Sequence, residues 1–240
     1  MFKEITPDLS EITCVILAGG RGTRLNPVVS DRPKVLAQIH GRPFLTYLLD
    51  QLISAGSKQV VLCTGYMAEE IRRQIGDTYK FLQIIHSTED RPLGTAGAIR
   101  NALQHVHSDV LFLMNGDSFV GVDLKDYLRW YFEKDREAAL LLTHVKDARR
   151  YGRVKVVEDD TVISFEEKGE NASEGLVNAG IYLLKKTLLA LIPPHTFYSL
   201  EQDVLPKLIG SGMYGYRCNG RFIDIGTPES YRLAEDFFAA

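Results

Sequence analysis

Leu17-Ala18-Gly19-Gly20-Arg21-Gly22-Thr23-Arg24-Leu25 leaves an apolar run, Ile12 to Leu17, and leads through Pro27 to Arg32-Pro33-Lys34. The apolar run reads as a strand covered on both faces, as in a parallel sheet. The stretch after it reads as a loop that cradles phosphate. Glycines let the backbone take φ > 0 and bring its N–H groups close to an anion, and Arg24 and Lys34 add mobile positive charge. The loop is not a Walker A motif, because Gly22 is followed by Thr23-Arg24 and not by Lys-Ser/Thr. It is not a dinucleotide fingerprint either, because Leu25 stands where the third glycine belongs. A tight strand-to-helix turn would account for a bare G-x-G, but not for Thr23-Arg24 and Pro33-Lys34 as well.

Outward from this loop the chain alternates strand and helix. A helical pattern (Phe44, Leu45, Leu48, Leu49, Leu52, Ile53) begins at Pro43 and stops at Gly56, the usual C-terminal breaker. Residues 60–63 read as a buried strand, 68–75 as a short helix ended by Gly76, and 81–85 as a third strand. This is the βαβ rhythm of a doubly wound sheet. The small-residue stretch Arg91-Pro92-Leu93-Gly94-Thr95-Ala96-Gly97-Ala98 reads as a loop opening a helical run over 99–103. Two readings fit it: close helix–sheet packing, or a backbone that a base or phosphate can approach.

Residues 110–114 form the clearest buried strand, and Asn115-Gly116-Asp117-Ser118 follows at its C-terminal end, where open α/β sheets place ligands. Asp123 is the better helix cap for the pattern of Leu124, Tyr127 and Leu128, which leaves Asp117 free for chemistry. From about residue 138 the runs shorten and alternate (139–144, 154–157, 162–167, 177–184). They are expected to form an insertion of mixed, partly antiparallel strands, a lid over the sheet's edge. Pro193-Pro194 marks a turn, 200–209 holds a short helix, and 212–216 and 221–223 read as strands. Asp224-Ile225-Gly226-Thr227-Pro228 then opens a terminal amphipathic helix.

At 240 residues, with 45% hydrophobic and 25% charged residues, the chain suits one sizeable α/β domain. A net charge of −3 argues against a nucleic-acid-coating surface, so phosphate binding is local. The three cysteines, Cys14, Cys63 and Cys218, lack paired or metal-ligand spacing and read as buried small hydrophobes of a reducing compartment. With no signal-peptide-like segment and no apolar run of membrane length, the expected location is the cytoplasm. No nucleic-acid or membrane partner is expected, and a homo-oligomer is allowed.

The glycine loop, the P-x-G-T-A stretch, the Gly116-Asp117 pair and Asp224-x-Gly226-Thr227 together resemble the sugar-1-phosphate nucleotidyltransferases. The resemblance spans nearly the whole chain in the family's order. It implies α/β architecture: a Rossmann-like doubly wound mixed sheet of the nucleotide-diphospho-sugar transferase type with a small antiparallel lid subregion. A single domain over 1–240 would comprise a nucleotide-binding part (about 12–137), a sugar-binding part (about 138–228) and a C-terminal helix (229–239). Leu17, Ala18, Gly19, Gly20, Gly22 and Thr23 would surround the nucleotide phosphates. Arg24 would polarise the triphosphate and Lys34 would contact the reacting phosphates. Gly94, Thr95 and Ala96 would lie near base and ribose, and Gly152, Glu167, Lys168 and Asn178 would hold the sugar phosphate. Mg²⁺ would sit on Asp117 and Asp224. Arg24, Lys34 and Asp117 are the expected catalytic residues.

The two substrates bring about six negative charges together, which is the demand that cations and a metal answer. Arg150-Tyr151-Gly152, residues 163–168, and the run from Phe222 to Pro228 with Tyr231 are similar to the short branch containing D-glycero-α-D-manno-heptose 1-phosphate guanylyltransferases. The expected reaction is therefore GMP transfer from GTP to a heptose 1-phosphate for bacterial surface glycans. Gly169 replaces the proline usual in the mannose and glucose enzymes. Alternatives are mannose 1-phosphate guanylyl transfer, uridylyl or thymidylyl transfer to another sugar 1-phosphate, and a non-catalytic nucleotide-sugar sensor. A sensor would be expected to have lost Arg24, Lys34, Asp117 and Asp224, which are all present here.

Overall fold

Residues 8–25, 27–134, 136–166, 174–210 and 212–239 are described by the computed structural model. The first half runs β1 (Thr13–Leu17), the hairpin β2 (Gln38–Ile39) and β3 (Arg42–Pro43), α1 (Phe44–Ser54), β4 (Gln59–Thr64), α2 (Ala68–Ile75), β5 (Thr78–Tyr79), β6 (Leu82–Thr88), α3 (Gly94–Ala102) and β7 (Val110–Asn115). The second half runs β8 (Ser118–Val120), α4 (Leu124–Phe132), β9 (Ala138–Val145), β10 (Val154–Val156), β11 (Val162–Phe165), β12 (Gly175–Lys185), α5 (Lys186–Ala190), β13 (Met213–Cys218), β14 (Phe222–Asp224) and α6 (Pro228–Phe238).

Eight strands form one mixed sheet in the order β13-β9-β12-β7-β1-β4-β6-β5. β1 lies parallel to both β4 and β7. The chain therefore winds outward from β1 to β4 and β6, then returns to place β7 on β1's other flank. That reversal opens a crevice at the carboxyl ends of β1 and β7, the position where open α/β sheets bind ligands.

The apolar runs earn their central place by alternation. Along β1, Cys14 and Ile16 join the cluster beneath α1, α4 and α6, with Leu48, Leu52 and Leu128. Val15 joins the opposite cluster with Ala96 and Ile99 of α3. Phe112 of β7, fully buried, meets Tyr127 of α4 edge-on with centroids 6.4 Å apart. Each such large side chain contributes about 1.5–3 kcal/mol on burial.

Four features differ from the sequence reading. α3 begins at Gly94, so the small-residue stretch is already helical. β9 and β12 are not part of a lid: β12 lies inside the main sheet, antiparallel to β7 and β9. Of the runs expected in the lid, those of β10 and β11 pair as a separate antiparallel ribbon. Asp224 closes strand β14, which pairs with the unforeseen strand β8 and sets Asp224 opposite Ser118. By contrast, Asp123 caps α4 as expected, its carboxylate accepting the Lys125 N–H at 2.9 Å.

The three cysteines are free and buried. Burial pushes the thiols of Cys14 and Cys63 up from 9.0 to about 12. The folded chain therefore keeps two protons that the unfolded chain releases above about pH 9. Their contribution is complete below that pH and is lost as pH rises toward 12, at up to about 1.4 kcal/mol per pH unit for each thiol. Denaturant midpoints measured from pH 8 to 10 should fall more steeply in the wild type than in a Cys14→Ala, Cys63→Ala variant. Parallel slopes would refute this.

Candidate active site

The crevice is shaped by backbone contacts that allow no side chain. The Gly116 N–H donates to the Leu17 carbonyl at 2.9 Å, and a Cβ at Gly116 would lie well inside contact distance of that oxygen. Gly22 has φ +61°, and a Cβ there would sit 3.0 Å from the Cβ of Lys34. The glycine loop thus packs against the residue that carries the key cation.

The Lys34 ammonium pairs with the Asp117 carboxylate, with only 14% and 33% of the two side chains exposed. Asp117's own carbonyl accepts the Ile225 N–H at 2.9 Å. Asp117 lies in the turn between β7 and β8, and the pairing of β8 with β14 sets Asp224 opposite its neighbour Ser118, so two carboxylates remote in sequence come to one place. Asp224 is nearly buried. Arg150 donates to both its oxygens, at 2.8 and 3.1 Å, and the Gly226 N–H donates to Oδ1 at 2.8 Å. The Tyr151 hydroxyl donates to Oδ2. Burial, with the Asp224 carboxylate beside it, pushes the Tyr151 phenol up, so it stays protonated and remains a donor.

Two clefts meet at Asp117. The first, about 520 Å³, lies over the glycine loop; Leu17, Ala18, Gly19, Gly20, Lys34, Gly94, Thr95 and Asp117 line it. The second, about 490 Å³, is lined by Arg24, Arg150, Gly152, Asn178 and Asp224 together with Asp117. Asn115 and Glu201 also face both.

Several expected residues stand elsewhere. Arg24 lines the second cleft, its Nη2 3.5 Å from the position of a Cβ on Gly226. Thr23 is exposed outside both clefts. Ala96 is fully buried and gives its N–H to the Tyr198 carbonyl at 2.9 Å. Asn178 does line the second cleft, from the irregularity in β12: its Oδ1 accepts the Gly180 N–H at 2.9 Å and its Nδ2 donates to the Tyr182 hydroxyl at 2.8 Å. Glu167, Lys168 and Gly169 lie outside the described residues.

Sequence reasoning passed over Tyr66, Glu89, Phe197 and Glu201, all of which line the first cleft. Glu89 is the informative one. Its Oε2 accepts the Leu93 N–H at 3.1 Å, while Oε1 stands beside Gly19 and Gly65, 3.4 and 2.8 Å from where their Cβ atoms would be. Burial raises its carboxyl above the ordinary range. A carboxylate beside the first cleft's glycines suited the sequence reading no better than any other acid, so only its surroundings reveal it.

Among the described residues no cluster of three or more His, Cys, Asp or Glu side chains gathers. Asp117, in the turn before β8, and Asp224, at the end of β14, border one cleft, and carboxylate oxygens are the donors that a hard divalent cation takes. Such a cation takes its remaining oxygen ligands from water and phosphate.

The nucleotidyl transferase family matches residues 13–240, which takes in both clefts and the whole sheet. The chain belongs to this family. As a nucleotidyl transferase it is 38% identical over 222 residues to the D-glycero-α-D-manno-heptose 1-phosphate guanylyltransferase of Aneurinibacillus thermoaerophilus, covering 92% of this chain and 96% of that one. It is 36% identical over 225 residues to the mannose-1-phosphate guanylyltransferase of Mycobacterium tuberculosis, covering 92% of this chain but 63% of the other. Its fold is similar to that of HddC from Yersinia pseudotuberculosis complexed with GMP-PN. That match has a TM-score of 0.84 and 34% identity, over 95% of this chain and 99% of the other.

Proposed function

We propose that this nucleotidyl transferase moves GMP from GTP to D-glycero-α-D-manno-heptose 1-phosphate, giving GDP-heptose and pyrophosphate. The observation that carries the guanine assignment is Glu89. Guanine offers two adjacent donors, N1–H and the N2 amino group, and a carboxylate accepts such a pair; uracil and thymine offer one donor between two acceptors. The heptose assignment follows the full-length similarity to a heptose 1-phosphate enzyme.

In this reading the nucleotide occupies the first cleft and the sugar phosphate the second. An oxygen of the sugar phosphate attacks the α-phosphorus in line, the bond from the α-phosphorus to the bridging oxygen breaks, and pyrophosphate leaves with that oxygen. Lys34, held at the junction by Asp117, neutralises charge on the phosphates as they approach. Arg24 faces the sugar phosphate from the second cleft. Mg²⁺ held by Asp117 and Asp224 would supply further positive charge to the phosphate oxygens. Tyr151 and Arg150 fix the Asp224 carboxylate for that task. No covalent intermediate is required. Among the described residues no helix is long and apolar enough to cross a membrane. The product would be a cytoplasmic supply of nucleotide sugar for surface glycans.

Pyrophosphate release should be fastest with GTP and the heptose 1-phosphate. Equal or faster turnover with UTP or dTTP would overturn the guanylyl assignment, and faster turnover with mannose 1-phosphate the heptose one. ITP lacks only the N2 amino group. The wild type should therefore prefer GTP to ITP by about tenfold or more, and Glu89→Gln should bring the two near parity. An equal loss with every nucleotide would make Glu89 a turn-holding residue only.

A further inference from the structure

The glycines of the small-residue stretch have a job the sequence did not disclose. A Cβ on Gly94 would sit 2.5 Å from the Tyr198 carbonyl oxygen, and one on Gly97 would sit 2.6 Å from that of Thr196. Gly94 also holds φ +72°. These positions seat the backbone of the segment after Pro194 on the start of α3. The Tyr198 N–H donates to the Leu93 carbonyl at 2.8 Å, and Tyr198's carbonyl accepts the Ala96 and Gly97 N–H groups at 2.9 and 3.2 Å. Arg91 donates to the His195 carbonyl at 2.8 Å, and the Leu200 N–H donates to the Thr95 hydroxyl at 2.7 Å.

The backbone is thus pinned on both sides of Phe197. Phe197 is 67% exposed and lines the first cleft but not the second. An aromatic ring carried on a pinned backbone and left in water gains the fold almost nothing, because its apolar surface is not buried. Every nucleobase, in contrast, offers a π-face that such a ring can cover.

Resting on the reading that the first cleft takes a nucleoside triphosphate, we propose that Phe197 stacks on the nucleobase. The glycines Gly94 and Gly97 act as the seat that presents it. Phe197 thereby holds the base while Glu89 reads its edge, so affinity and base choice reside in different side chains. The seated segment also takes up the amides at the start of α3, which directs the phosphates to the glycine loop and not to this helix.

Equilibrium binding with two probes tests this. Phe197→Ala should weaken GTP binding by about 10–100-fold and leave inorganic tripolyphosphate, which has no base, bound as before. Phe197→Trp should keep wild-type GTP affinity and change its fluorescence on adding GTP but not tripolyphosphate. Wild-type GTP affinity in Phe197→Ala would overturn the proposal, as would an equal loss for tripolyphosphate, which would indicate a disturbed seat. A wild-type protein that binds tripolyphosphate but no nucleoside triphosphate would instead overturn the reading of the cleft, and this proposal with it.

Discussion

Asp117→Asn is expected to lower kcat/KM by about 10³-fold while the protein remains folded. The substitution keeps the size of the side chain and removes its charge. The Lys34 ammonium, 14% exposed, then loses the carboxylate that orients it at the junction of the two clefts, and the proposed cation site loses one of its two acids. Removing one preorganised charge from a site of phosphoryl chemistry typically costs about 10²–10³-fold, and here two functions depend on one group. Lys34→Met should cost comparable turnover through the opposite change. It leaves Asp117 without its neutralising partner, while Asp224 keeps Arg150 and Tyr151, so the uncompensated Asp117 carboxylate should attract a divalent cation more strongly. Mn²⁺ titration therefore separates the two: binding should weaken in Asp117→Asn and tighten in Lys34→Met. Unchanged turnover of Asp117→Asn at saturating Mg²⁺, or Mn²⁺ affinity that moves alike in both variants, would remove the assignment.

The second large effect belongs to a residue with no side chain. Gly116→Val should destabilise the fold by about 2–5 kcal/mol, combining overpacking with loss of a buried backbone hydrogen bond. The new atoms would collide with the Leu17 carbonyl and with Val35, whose Cγ1 lies 3.0 Å from the Cβ position. For a chain of 240 residues this is a fall of roughly 4–20 °C in Tm. Gly20→Ala is the contrast. Nothing lies within 4 Å of a Cβ there, so its Tm should match the wild type, while GTP binding weakens because the methyl group enters the first cleft. A Gly116→Val protein with unchanged Tm would show that β1 and β7 tolerate separation at their ends.

Local chemistry was legible wherever neighbours in sequence decide the structure. The helix over 68–75 and its stop at Gly76 follow from periodicity and from a glycine with φ +75°. The strands flanking β1 followed from continuous apolar runs. Pairing was not legible, because the same apolar pattern serves a lid strand and a central one. β12 is central because the same residues, Tyr182, Leu183 and Leu184, pair with β7 on one edge and β9 on the other. α3 began early for a similar reason: its first amides are satisfied by Tyr198, about a hundred positions away. In the site, the glycine loop, Lys34, Asp117 and Asp224 stood out by motif. Glu89, Glu201 and Phe197 carry no motif, and their significance comes from what the fold sets around them. Arg150 and Tyr151 were noticed as a similarity but not as the clamp on Asp224.

The β8–β14 ribbon lies apart from the main sheet, and every strand of that sheet precedes β14 in the chain. Val120, Ile223 and Ile225 of this ribbon and its exit nevertheless belong to the same buried cluster as Ile16 and Leu48, so Asp224 reaches Asp117 only as that core closes. On refolding, near-ultraviolet circular dichroism and turnover should therefore return together, because the contact that completes the site is also a contact of the core.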